Sequence, residues 1–99
     1  MELQNELTQK LQEIVVEITD KDVILKIDVP TDLSKGDLST NIAMRLGGNP
    51  IEMAEKIKIE LEKTQIASRF KKIEVIKPGF INFYLSDSEI IVQSLNILK

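Results

Sequence analysis

The 99-residue sequence has no histidine, no cysteine and no tryptophan, and it carries only one tyrosine, three phenylalanines, three prolines and four glycines. Without imidazole there is no ordinary general base, no Ser/His/Asp or Cys/His pair and no common zinc or haem site. Without thiols there is no disulfide, thiolate nucleophile or iron–sulfur ligand. Thr40 and Ser86 have no histidine to activate them, and no active site is legible. Long apolar runs are also missing: none approaches the roughly 18 residues of a membrane span, and Met1-Glu2 followed by a polar stretch is not a signal peptide. These absences predict a soluble, cytoplasmic protein without membrane contact.

What remains is ordinary globular material, 42% hydrophobic and 29% charged, near the usual size of one domain. The 13 basic and 16 acidic residues give a net charge of −3, which argues against a general nucleic-acid coat. The distribution is uneven, however. Residues 1–50 hold five bases and nine acids, whereas residues 56–77 hold Lys56, Lys58, Lys63, Arg69, Lys71, Lys72 and Lys77 against three acids, a net of +4. A local phosphate-binding edge is compatible with that stretch, and so is a solvated helix face.

Leu3, Leu7, Leu11, Ile14, Val15 and Ile18 form one stripe of a helix over about residues 2–17. Val23, Leu25, Ile27 and Val29 then alternate with Ile24, Lys26 and Asp28 as a half-buried strand, ended by Pro30. Residues 31–38 read as a loop, and Ser39 or Asp37 as the cap of a short helix through Leu46. Gly47-Gly48 stops that helix, and Asn49-Pro50-Ile51-Glu52 starts the next with a cap and a proline at its first position. Residues 71–77 and 80–85 alternate as two strands around Pro78-Gly79, which suits a type II turn. Ser86-Asp87-Ser88-Glu89 is a capping box for a last helix running to Lys99. The order α-β-α-α-β-β-α predicts a single α+β domain over residues 1–99, a two-layer sandwich with a small, mostly antiparallel sheet of three to four strands covered by helices.

The 80–85 strand is the most informative segment. If Ile81, Phe83 and Leu85 fill the core, Phe80, Asn82 and Tyr84 point to the opposite face. An aromatic ring stacks on any base and an amide both donates to and accepts from a base edge, so this trio suits an unstacked nucleotide. From pattern alone, the same trio is more readily what a covering helix or a partner domain would bury. In the second case the chain is a non-catalytic protein–protein interaction module.

Three segments in order, Gly36-Asp37-Leu38-Ser39-Thr40-Asn41-Ile42-Ala43, Asn49-Pro50-Ile51-Glu52-Met53-Ala54 and Lys77-Pro78-Gly79-Phe80-Ile81-Asn82-Phe83, match the patterns G-D-[YFL]-[AS]-[ST]-N-x-A, N-P-x-x-[IM]-A and P-G-F-[IL]-N. The chain therefore resembles the N-terminal additional domain of arginyl-tRNA synthetases, over essentially its whole length. The resemblance implies a domain that grips the D-loop of tRNA(Arg), with Phe80 stacking on a base and Asn82 bonding its edge, and alternation sets Tyr84 on the same face. It places Lys77 where some relatives carry a further amide, and Leu38 where many carry an aromatic. Lys71, Lys72 and Lys77 are then the candidate phosphate contacts. The resemblance also implies that arginylation, with ATP and Mg²⁺, belongs to a catalytic domain of a longer parent enzyme, that this domain is a partner, and that the 99 residues alone hold no cofactor and catalyse nothing.

Overall fold

A computed structural model describes residues 2–30 and 36–91. Helix α1, Glu2–Thr19, buries Leu3, Leu7, Leu11, Ile14 and Val15, the predicted stripe. It stops at Asp20, whose φ of 58° is the left-handed conformation that commonly ends helices. Strand β1 is Leu38–Thr40, helix α2 Ile42–Arg45 and helix α3 Pro50–Glu62. A 3-10 helix, Gln65–Arg69, leads into β2, Phe70–Ile76, and the hairpin returns through β3, Phe80–Leu85. Residues 87–91 are helical, and the remainder of the expected last helix lies outside the described residues.

The sheet is antiparallel in the order β1-β3-β2. Central β3 alternates cleanly: Ile81, Phe83 and Leu85 join the core with Leu38, Phe70 and Ile73, and the apolar stripes of α1, α2 and α3 complete it. The α+β class and the element order thus agree with the sequence reading. Asn49 caps α3 as expected, its side chain accepting from the N–H groups of Ile51 (3.1 Å) and Glu52 (3.2 Å). Asn49→Ala should therefore lower stability by about 1 kcal/mol, read as a lower denaturation midpoint with an unchanged slope.

Four local expectations are corrected. The segment 23–29 buries Leu25 and Ile27 but leaves Val29 58% exposed, and it is not a ladder strand. Only Asp28 bridges to the sheet, exchanging two backbone hydrogen bonds with Ser39. Elsewhere side chains take its carbonyls: Gln12 binds Val23, Arg45 binds Ile24, Thr40 binds Lys26 and Gln4 binds Ile27. The first strand is instead Leu38–Thr40, at the end of the expected loop, of which residues 31–35 lie outside the described residues. Neither Asp37 nor Ser39 caps α2, because both are engaged with β3. Finally, the Lys77–Pro78 peptide is cis and Gly79 N–H donates to the Ile76 carbonyl, which makes the turn type VI rather than type II.

At Ser86 the capping box is half formed. Ser86 Oγ accepts from Glu89 N–H at 3.2 Å, but Ser86 N–H donates to the Arg69 carbonyl. The Glu89 carboxylate accordingly turns to Arg69, whose guanidinium also reaches Glu6 on α1. Hydrogen bonding to Glu89, together with the charges of Glu89 and Glu6, raises the Arg69 pKa above its ordinary value.

Candidate functional site

The G-D-L-S-T-N segment is built to hold β1 against β3. Gly36 has φ of 82°, and a Cβ there would stand 2.8 Å from the Phe83 carbonyl oxygen. Asp37 then donates its N–H to that same carbonyl at 2.8 Å and accepts the Leu85 N–H on Oδ2 at 2.9 Å. Leu38 enters the core opposite Phe83, so this position presents no exposed side chain for stacking. Ser39 falls opposite Asn82, and Thr40 Oγ1 donates to Lys26 and accepts from Ile42 N–H.

On the sheet face turned from the core, cross-strand pairing sets Ile76 opposite Phe80, Glu74 opposite Asn82 and Lys72 opposite Tyr84. The three β3 residues share this face as alternation requires, but their surroundings differ. Phe80 is 38% exposed and is the open ring. Asn82 is only 3% exposed, because Ser39 and its β2 neighbours crowd it on both sides. Its Oδ1 accepts from Ser39 Oγ at 2.8 Å. Ser39, Ile76, Lys77, Phe80 and Asn82 line a cavity of about 210 Å³. The turn brings Lys77 to its rim, where it is exposed.

Tyr84 belongs to a separate group. Its hydroxyl donates to Glu74 at 3.3 Å, the Lys72 ammonium lies 5.2 Å from its ring centroid, and Gly36 backs the ring. Lys72 and Glu74 are paired at 2.9 Å. That hydrogen bond is the main cause of a raised Lys72 pKa and a lowered Glu74 pKa. Because the Glu74 value is lowered, the pair is intact at neutral pH and is lost as pH falls through that value. Tyr84 is thus a half-buried wall whose ring is already attended, and Phe80 is the ring available for stacking.

The basic stretch does not form one patch. Lys63 pairs with Glu60, Arg69 with Glu6 and Glu89, Lys72 with Glu74, and Lys71 with Asp87 at 3.9 Å. Lys71 sits by the bulge at the start of β2, roughly 10 Å along the strands from Asn82. Lys77 makes no ion pair among the described residues, and it lines the cavity. The structure therefore brings Lys77, Phe80 and Asn82 together, with Lys72 and Tyr84 adjacent and Lys71 apart. Sequence reasoning missed Ser39 and Ile76 as cavity residues, since only the β1–β3 register places Ser39 beside Asn82. Among the described residues no three His, Cys, Asp or Glu side chains converge as metal ligands, and no helix is long and apolar enough to cross a membrane.

Comparison with known proteins shows the family of the chain. The family described as the arginyl tRNA synthetase N terminal domain matches residues 1–85. An arginine–tRNA ligase of Thermotoga petrophila is 38% identical over 89 residues, covering 86% of this chain and 16% of the relative. Ligases of the same name from Staphylococcus carnosus (45% over 67 residues, 64% of the chain and 12% of the relative) and Chlorobium phaeobacteroides (41% over 78 residues, 75% and 14%) are also similar. The chain thus spans about one sixth or less of the length of these relatives.

Proposed function

Because the chain belongs to the arginyl tRNA synthetase N-terminal domain family, we propose that it is the tRNA-recognition domain of an arginine–tRNA ligase and holds the D-loop of tRNA(Arg). The observation that carries this reading is the cavity in which an exposed ring, a buried amide and a lysine without an ion pair among the described residues converge. Phe80 stacks on an unstacked base, Asn82 bonds its edge, and Lys77 meets an adjacent phosphate. Lys72, held over Tyr84, lends positive charge to the same face, and Lys71 contributes only at the far end of the strands. No ligand chemistry is asked of these residues beyond binding and orientation. ATP and Mg²⁺ act in the catalytic domain of the parent enzyme, which performs the arginylation in the cytoplasm and is this domain's second partner.

Phe80→Ala should weaken binding of a tRNA(Arg) transcript to the chain by about 1–3 kcal/mol, measured by fluorescence titration. Binding should also fall steeply as salt rises, as phosphate contacts demand. Affinity unchanged by the substitution would overturn the assignment. Binding that ignores salt would favour a protein–protein surface instead.

A further inference from the structure

We propose that Ser39 is the positioning residue that fixes which end of the Asn82 amide a ligand meets, so that the amide turns its donating end to the cavity and takes a ligand edge that accepts. This rests on the RNA-binding reading for the identity of the ligand, but the amide orientation stands on the protein alone.

An asparagine amide has one accepting and one donating end. Here the accepting end is held on Ser39, with Oδ1 receiving its hydroxyl at 2.8 Å between two buried residues, which sets the flip of the amide. Ser39 itself cannot swing away easily. Its N–H donates to Asp28 (2.9 Å), its carbonyl accepts from Asp28 (2.7 Å), and its Cα is in register with Asn82. Nδ2 donates to no acceptor among the described residues, yet none of their buried side-chain nitrogens or oxygens is left without a partner. Nδ2 therefore reaches open space, and the space bordering Asn82 is the cavity. The other polar side chain there with a free donor is the Lys77 ammonium, which cannot accept. Glu74, the nearest acceptor across the strands, is turned to Lys72 and Tyr84 and does not line the cavity. Phe80 and Ile76 supply apolar walls. A base presenting a carbonyl to Nδ2 is bonded, whereas one presenting an amino group to Nδ2 sets donor against donor and leaves Nδ2 unpaired.

The test has a ligand-free arm and a binding arm. In the free chain, the Asn82 side-chain NH₂ protons should exchange rapidly with water by NMR, and protected protons, as expected if Nδ2 donated to Ser39, would overturn the proposal. In the binding arm, two hairpin RNAs differ only in having an all-uridine or an all-cytidine loop, which presents a carbonyl or an amino group at the same ring position. The wild-type chain should prefer the uridine loop by about fivefold, the worth of one hydrogen bond. Ser39→Ala, which frees the amide to rotate, should erase most of that preference, and Ser39→Thr, which keeps the hydroxyl, should restore it. A preference that survives Ser39→Ala, or one for cytidine, overturns the proposal. If neither hairpin binds while the amide protons exchange freely, the RNA reading fails and takes the acceptor preference with it, and the Ser39–Asn82 assignment is upheld.

Discussion

Phe83→Ala should lower the unfolding free energy of the chain by about 3–5 kcal/mol, read from urea denaturation. Phe83 is fully buried at the centre of the middle strand, in register with Leu38 on one side and Ile73 on the other, and its ring lies 5.3 Å from that of Phe70 at a tilt of 46°. Three helices converge on this layer, so truncation leaves a void that none of them can close without moving the others. A small domain has only about 5–15 kcal/mol in all, and the variant should be largely unfolded at 37 °C. Phe80→Ala supplies the contrast: its ring is partly in water, so stability should change little while RNA affinity falls. A Phe83 variant with a midpoint close to wild type would show that the hairpin, not the helix-covered layer, holds the domain together.

The second large effect should come from Gly79→Ala. Gly79 adopts φ of 154°, a region that side chains rarely occupy, and an added Cβ would stand 2.7 Å from Pro50 Cβ and 3.0 Å from Met44 Cγ. Met44 can yield, but the Pro50 ring is the first residue of α3 and is held by the Asn49 cap. The turn must therefore back away from the helix, and the conformational strain alone costs about 1–3 kcal/mol. The displaced residue is Phe80, next in the chain. The variant should thus lose both stability and RNA affinity, and the affinity loss should persist at temperatures where the chain is still folded. Affinity that recovers fully once the folded fraction is accounted for would show that the turn does not orient the ring.

How much of this was legible from the amino acids differs by element. Helix α1, helix α3 and the 80–85 strand follow from periodicity and from one capping asparagine, because burial on a single face is written into the spacing. Alternation at 23–29 reports the buried side at Val23, Leu25 and Ile27 but fails at Val29, which is exposed. It cannot report that the backbone partners are glutamine, arginine and threonine side chains rather than a strand. Strand β1 left no such trace: its three residues are all buried, Leu38 in the core and Ser39 and Thr40 through polar contacts. The candidate site was half visible for the same reason. Phe80, Asn82 and Lys77 fall on adjacent positions of one hairpin, whereas Ser39 joins them from 43 residues away through a pairing that no local pattern encodes.

Strand β2 lies at the margin of the sheet, so one side of its backbone ladder has no strand beside it among the described residues. Such a margin is a template for adhesion between chains unless charge or irregularity spoils it. Here the bulge between Phe70 and Lys72 interrupts the repeat, and Lys71, Lys72 and the turn residue Lys77 line its length. The cations proposed to face RNA thus also charge the margin at which free copies of the domain could pair. Neutralising them to weaken RNA binding should therefore also make the domain more prone to self-association, read as a concentration-dependent rise in light scattering.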